Sequence, residues 1–181
     1  MSLAFAEWEP IYEAILADFG FDRAADRQAR DLAVDLADSF DRDCLDSLNG
    51  ATVAIVGAAP SLSAALDAFD PTSVDAVVAA STAADVLLDA DIEVDLMVTD
   101  LDKNTATARE LTRRGTPVAA HAHGDNISAV EKWLPQFEGE QTLVTTQAAP
   151  RAGIANVGGF TDGDRAAFLA DAAGATDLQF L

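Results

Sequence analysis

The sequence predicts a Rossmann-like α/β fold, with a mainly parallel sheet, helices on both faces and an N-terminal helical leader. From residue 52 onward, short apolar runs alternate with stretches of helical periodicity. Runs that are apolar on both faces and separated by helices are typical of parallel strands joined by right-handed crossovers. Because domains usually contain about 100–150 residues, we interpret the chain as one unit. It has a leader over 1–50 packed on an α/β domain over 51–181.

The elements can be placed in order along the chain. In the leader, Asp22 is a candidate cap for an amphipathic helix with apolar residues at three- and four-residue steps: Ala25, Ala29, Leu32, Ala33, Leu36, Ala37 and Phe40. Strands are predicted at 52–56, 74–80, 95–98, 117–121, 142–144 and 176–181. Helices are predicted near 61–69, 82–90, 104–114, 126–137 and 162–173, with Gly115 and Gly174 as C-terminal stops. Ligands of open parallel sheets bind beyond the carboxyl ends of the strands, so site residues are expected there.

The net charge restricts the partners. The chain has 31 acidic and 11 basic residues, which give a net charge of −20. Nucleic acids bind through Lys and Arg, so a nucleic acid partner is not expected. The same field repels ATP, and an anionic ligand therefore needs an accompanying cation.

The sequence also predicts the compartment. No run approaches the ~18 apolar residues of a membrane helix. The amino terminus has no basic region before Glu7 and Glu9, and the single Cys44 fits a reducing compartment. We therefore expect a soluble, cytoplasmic protein that acts on small molecules without a membrane partner; a homo-oligomer is left open.

The loop after the first strand is a candidate anion site. Gly57 would permit a tight turn, Ser61 could cap the next helix, and the amides around Ala58 and Pro60 would attract a phosphate or a carboxylate. The loop lacks the further glycines of a dinucleotide fingerprint and the Gly-Lys-Ser/Thr of a Walker loop. A bare turn is the alternative.

Two aspartates follow the third strand. If the chain stays extended after Thr99, Asp100 and Asp102 project from the same side while Leu101 turns back to the core. One or two carboxylates, with water and substrate phosphates, are how Mg²⁺ is usually held. The alternative is that both residues end the strand and cap the helix beginning near Asn104.

The fourth strand ends in the only two histidines of the chain, His121 and His123, followed by Asp125 and Asn126. A lone strand histidine is more often structural, but a pair beside carboxylates favours a functional role. The pattern His-x-His-x-Asp also opens a zinc metallohydrolase signature. That alternative fits badly, because Asn126 stands where a further histidine is needed.

The fifth strand leads to a Gly-Gly-Phe-Thr-Asp-Gly-Asp-Arg segment. Gly159 and its neighbour would allow close backbone approach, and Thr161 or Asp162 could cap the next helix. Arg165 opposes the helix dipole there, which indicates a bound anion or pairing with Asp162 or Asp164. A capped surface turn is the alternative.

Four motifs in this order, GAAPSL, VTDLD, HAHGDN and GGFTDGDRA, resemble the archaeal 6-hydroxymethyl-7,8-dihydropterin pyrophosphokinase family, which is similar in fold to thiamine pyrophosphokinases. The resemblance implies Mg²⁺-dependent transfer of diphosphate from ATP to a reduced pterin, releasing AMP, on the pathway to folate or tetrahydromethanopterin. It also implies that Asp100, Asp102 and Asp125 ligate Mg²⁺.

The chemistry of phosphoryl transfer suggests the remaining roles. The catalytic candidates are His121, His123, Asn126 and Arg165, and either histidine could stabilise developing charge or take the hydroxymethyl proton as a base. The candidates for holding ATP or the pterin are Gly57, Ala58, Pro60, Ser61, Gly159, Thr161, Asp162 and Asp164.

The chain departs from the family pattern at several positions. Ser81 and Thr82 replace an Asp-Gly pair, Ala59 and Lys103 replace glycines, and the chain stops at Leu181 where members of the family continue, so a C-terminally shortened domain is expected. Two other functions stay open, the first because an Asp-x-Asp pattern also chelates nucleotide diphosphates and the second because of these departures. One is a sugar-nucleotide-dependent transferase of the flagellin-modification type, and the other is an inactive nucleotide-binding homologue.

The acidic excess predicts a halophilic source, because molar salt screens the self-repulsion of such a chain. We expect the melting temperature, followed by circular dichroism, to rise when molar KCl is added to dilute buffer. Full structure and activity in dilute buffer, with no gain from KCl, would contradict this.

Overall fold

The structure is a computed structural model that describes residues 5–181. Its sheet has six strands in the order β5-β4-β3-β2-β1-β6, and all neighbouring pairs are parallel. The strands are β1 (Thr52–Val56), β2 (Ala76–Ala80), β3 (Leu96–Thr99), β4 (Val118–Ala122), β5 (Thr142–Thr146) and β6 (Asp177–Phe180). The predicted Rossmann-like α/β fold is confirmed.

Both faces of the sheet are covered, as the two-sided apolar strands require. In β1, Val53 and Ile55 pack into one hydrophobic cluster while Ala54 and Val56 pack into the other. This alternation follows from the two-residue period of a strand. The sheet therefore separates two cores, and its carboxyl edge is left free for ligands.

Seven α-helices lie within residues 5–181: α1 (Phe5–Phe19), α2 (Arg23–Leu36), α3 (Leu62–Leu66), α4 (Ala83–Asp89), α5 (Thr105–Arg113), α6 (Ile127–Trp133) and α7 (Asp162–Ala172). Short 3-10 segments occur at Arg42–Leu48, Pro71–Ser73, Gly124–Asn126, Leu134–Gln136 and Gly139–Gln141. The five helices predicted after residue 52 are present. Gly115 and Gly174 follow α5 and α7 with positive φ, as a C-terminal stop requires.

The leader helix ends earlier than its apolar pattern predicts. Asp22 caps α2 as expected, accepting from the Ala24 N–H at 2.7 Å, but the helix stops at Leu36 and Phe40 is not helical. Leu36 packs against one core of the sheet, whereas Phe40 packs against the other. The chain must therefore leave the helix to pass around the sheet, and including Phe40 in the helix was wrong.

The leader packs directly on the α/β part. α2 contacts β4, β5, α6 and the turn at 124–126. α1 forms its own small cluster, in which the Trp8 ring lies 5.9 Å from the Phe168 ring of α7. The boundary at residue 50 between the leader and the α/β domain stays a prediction. Within residues 5–181, no helix has both the length and the apolar character that crossing a membrane requires.

The contact between α2 and the turn after β4 yields a prediction. A Cβ atom at Gly124 would lie 2.6 Å from the Ala25 Cβ, so Gly124→Ala should push the leader away from the sheet. We expect a loss of about 1–3 kcal/mol in the free energy of urea unfolding, as for overpacked cores. The matched control is Gly163→Ala in the first turn of α7, where the nearest atom is 3.9 Å away. Equal stability of the two variants would contradict the prediction.

Candidate active site

A cavity of ≈ 450 Å³ lies at the carboxyl edge of the sheet. Residues just beyond five successive strands line it: Ala58, Ser81, Asp100, His123 and Gln147. Its volume is within the range of small-molecule sites. The prediction that ligand-binding residues gather beyond the strand ends is therefore supported by the geometry.

Asp100 and Asp102 both line this cavity, but by a different route from the one expected. The chain does not stay extended after Thr99, because Leu101 has a φ of 64° and its side chain is buried. The Leu101 N–H donates to Thr99 Oγ1 at 3.0 Å, and the Asp102 N–H donates to Asp100 Oδ1 at 3.2 Å. Side chains that accept from the backbone two residues on favour such a turn, which brings the two carboxylates together.

The two carboxylates differ in proton affinity. Burial alone would raise the pKa of Asp100, but its interactions with nearby His123 and with Asp102 outweigh burial and hold that pKa below its ordinary value. Burial and the neighbouring Asp100 raise the pKa of Asp102. Like charges this close favour binding a proton or a cation between them. The pair thus has the donor chemistry of a hard divalent cation site.

The predicted three-aspartate cage is not assembled. Asp125 lines the same cavity as Asp100 and Asp102, yet residues 5–181 contain no group of three or more His, Cys, Asp or Glu side chains placed to hold one ion. Asp125 lies in the exposed 3-10 turn after β4, whereas Asp100 follows β3. An ion here would therefore need phosphate or water oxygens besides Asp100 and Asp102.

The two histidines occupy different layers. His123 lines the cavity, with Nε2 3.8 Å from Asp100 Oδ2. His121 lies beneath it, 2% exposed, with Nδ1 2.9 Å from Thr145 Oγ1. Burial lowers the pKa of His121 well below its ordinary value, so this ring is neutral. Of the two predicted candidates, only His123 reaches the cavity.

Asn126 ties two loops together behind the cavity. Its Nδ2 donates to the Asp100 carbonyl and, at 2.7 Å, to the His121 carbonyl, while its Oδ1 accepts from the His123 N–H at 2.9 Å. Asn126 is buried and does not line the cavity. The structure therefore places it as a residue that positions Asp100 and His123.

The N-terminus of α7 forms another wall. Thr161 caps the helix reciprocally with Asp164 and lines the cavity with Asp162 and Arg165. Arg165 is buried, and its Nη1 donates to Asp162 Oδ1 at 3.0 Å. This pairing with Asp162 explains why a cation is found in the first turn of α7, where it opposes the helix dipole. Burial raises the pKa of Asp162 to about 6. Gly159 has a φ of 88°, and a Cβ atom there would lie 2.6 Å from the Arg165 nitrogen, so the expected close approach is present.

The loop after β1 contributes less than predicted. Of Gly57, Ala58, Pro60 and Ser61, only Ala58 lines the cavity. Gly57 does not have positive φ, and its N–H donates a hydrogen bond to the Leu181 carbonyl at 2.9 Å. Ser61 makes no side-chain cap to α3. The capping interpretation of Ser61 was therefore wrong, and Gly57 does not use the left-handed conformation that favours glycine.

Several lining residues were missed. The leader supplies Phe21, Asp22 and Asp26, and loops of the α/β domain supply Gln147 and Phe160. One signal was available in the sequence: a carboxylate at Asp26 falls on the stripe that α2 buries, with Ala29 and Ala33. A charged residue on a buried stripe requires partners of its own.

Those partners connect the leader to the site. The Asp26 carboxylate is 3% exposed and accepts from the Tyr12 hydroxyl, from the Gly124 N–H at 2.7 Å and from Gln147 Nε2 at 3.0 Å. Gly124 is flanked by His123 and Asp125. Asp26 therefore fixes the turn that carries two of the cavity side chains.

The cavity is strongly acidic. Six aspartates line it. Among the described residues, its only cationic lining side chains are those of Lys103 and Arg165. Both cations are already paired, since Lys103 Nζ lies 3.4 Å from Asp102 Oδ2 and Arg165 is bound to Asp162. A polyphosphate would thus meet uncompensated negative charge.

Comparison with known proteins gives a consistent result. A family model described as 6-hydroxymethylpterin diphosphokinase MptE-like matches residues 28–181. The 6-hydroxymethyl-7,8-dihydropterin pyrophosphokinase of Methanothermobacter thermautotrophicus is 40% identical over 178 residues, covering 93% of this chain and 73% of that protein. The protein of that name from Pyrococcus furiosus is 37% identical, covering 97% of this chain and 76% of its own, and that from Methanocaldococcus jannaschii is 31% identical, covering 91% and 73%.

The Asp26 contacts yield a prediction. Asp26→Asn leaves one acceptor oxygen for three donors and turns an amide towards them, so we expect a loss of about 1.5–3 kcal/mol in the free energy of unfolding. The control is Asp22→Asn on the same helix, where Asn caps about as well as Asp. In addition, Tyr12→Phe should cost less in the Asp26→Asn background than in the wild type. Additive losses would contradict a shared hydrogen-bond network.

Proposed function

This chain belongs to the 6-hydroxymethylpterin diphosphokinase MptE-like family, and we propose that it transfers diphosphate from ATP to the hydroxymethyl oxygen of 6-hydroxymethyl-7,8-dihydropterin, releasing AMP. The observation that carries the proposal is the pair of Asp100 and Asp102 carboxylates in the cavity at the carboxyl edge of the sheet. The same proposal places the reaction on a route to folate or tetrahydromethanopterin. A cytoplasmic location and a homo-oligomer stay predictions.

The charge of the cavity supports a magnesium requirement. ATP is repelled by the acidic lining unless a cation accompanies it, and Asp100 and Asp102 have the oxygen donors that Mg²⁺ prefers. We assign both residues as direct ligands and Asp125 as a nearby charge. When bound, Mg²⁺ would neutralise the phosphate oxygens and favour in-line displacement.

The side chains around Asp100 and Asp102 have the remaining proposed roles. His123 faces the cavity beside Asp100 and is the proposed acceptor of the hydroxymethyl proton. His121 lies beneath His123, and Asn126 orients His123. Arg165, whose charge is offset by Asp162, holds the α7 N-terminus in place, so Thr161 lies where a phosphate can approach the helix.

Ser81 and Thr82 mark where this chain departs from the family pattern, and both line the cavity. Their hydroxyls replace a carboxylate, which removes one negative charge from an already acidic site. The inactive nucleotide-binding homologue therefore remains the competing proposal, and product analysis separates the two.

The central test is incubation with ATP, Mg²⁺ and 6-hydroxymethyl-7,8-dihydropterin, followed by measurement of AMP and of product mass. We expect a product that carries two added phosphoryl groups. Asp100→Asn and Asp102→Asn should each lower the rate of AMP release about 100-fold or more, because each removes charge that must be in place as the phosphoryl group transfers. The folded state should be kept.

The matched control is Asp89→Asn, an exposed carboxylate at the end of α4 that does not line the cavity. It should retain full activity. Normal turnover in both site variants would contradict the assignment of the metal ligands. Binding of ATP without any product would instead favour the inactive homologue, and hydrolysis of a sugar nucleotide in place of ATP would favour the transferase.

A further inference from the structure

Three phenylalanine rings meet at one side of the cavity. The rings of Phe19 and Phe21 are stacked, with centroids 5.5 Å apart and an interplanar angle of 8°. The Phe160 ring lies 5.5 Å from Phe19 and 6.3 Å from Phe21. Phe21 and Phe160 line the cavity itself. We call these three residues the aromatic platform.

Two of the three rings are exposed to solvent, although an apolar ring is not stabilised by water. Phe19 is 62% exposed and Phe21 is 39% exposed, and both stand on a strongly acidic chain. In residues 5–181, only two other large hydrophobic side chains are exposed, those of Ile11 and Phe180. Exposed aromatic rings beside a polar cavity are typical of ligand contacts.

The backbone holds two of the rings in place. The Phe160 carbonyl accepts from Arg165 Nη2 at 2.6 Å, and the Phe21 N–H donates to the Leu16 carbonyl at 3.1 Å. Phe21 also directly precedes Asp22, the cap of α2. The platform is therefore formed before a ligand arrives, which lowers the entropic cost of binding.

We propose that the aromatic platform binds the planar heteroaromatic ring of a substrate by stacking. This rests on the proposed function, in which both substrates carry such a ring: the adenine of ATP and the bicyclic pterin. The ring would stack on Phe21 and Phe160 while the reacting oxygens lie towards Asp100 and Asp102 in the same cavity. The platform would thus divide the cavity into an apolar ring subsite and a charged phosphate subsite.

The test measures binding by calorimetry with Mg²⁺, using three probes: ATP, 6-hydroxymethyl-7,8-dihydropterin and inorganic triphosphate, which has no ring. Phe21→Leu and Phe160→Leu keep apolar volume but remove the π-face. We expect each to weaken at least one ring-bearing probe about tenfold, the usual effect of losing one stacked ring. Triphosphate should bind unchanged, and Phe21→Tyr should restore affinity.

The matched control is Phe180→Leu, which removes an exposed ring that is not part of this cavity. Whichever of ATP or the pterin loses affinity identifies the ring that the platform binds. Unchanged affinity for both ring-bearing probes, or equal weakening of triphosphate, would overturn the proposal. If the wild type releases no AMP but these affinity changes occur, the proposed function fails while the platform stands. If the wild type is active and the changes are absent, only the platform fails.

Discussion

The arrangement of the site depends on one buried carboxylate, that of Asp26. It is stabilised by three donors, from Tyr12, Gly124 and Gln147. A buried charge is tolerated only where hydrogen bonds replace its hydration, so these donors must stay in place. One side chain therefore joins α1, the turn after β4 and the end of β5. The leader thereby becomes a wall of the cavity.

The negative charge of the cavity is the second constraint, because it repels an anionic ligand. The cavity concentrates carboxylates, and its two cations are already engaged by Asp102 and Asp162. In the proposed reaction, the phosphate would therefore have to arrive with a metal, because free polyphosphate is repelled. The raised pKa of Asp102 beside Asp100 is a further effect of this concentration of negative charge. The aromatic platform offers an apolar surface beside this charged region.

Most of the fold and part of the site could be predicted from the sequence. All six strands and the five later helices follow from apolar periodicity, which depends on neighbouring residues alone. The convergence of Asp100 and Asp102 was also expected, but through an extended strand rather than the left-handed turn at Leu101. The failure at Phe40 has a tertiary cause, because Leu36 and Phe40 pack against opposite cores of the sheet and the helix ends between them.

The sequence by itself determined the architecture, the acidic field and the family, because period, composition and contiguous motifs are all local properties of the chain. Only the tertiary structure decided which candidates share a cavity. It placed His123 in the lining of the cavity and His121 beneath it, and it made Asn126 a hydrogen-bond link between Asp100 and His123. Within residues 5–181, it left Asp125 outside any group of three side chains that could hold one ion. It also brought Phe21 of the leader next to Phe160. Contacts between residues more than a hundred positions apart are set by how the packed layers meet, which no local pattern encodes.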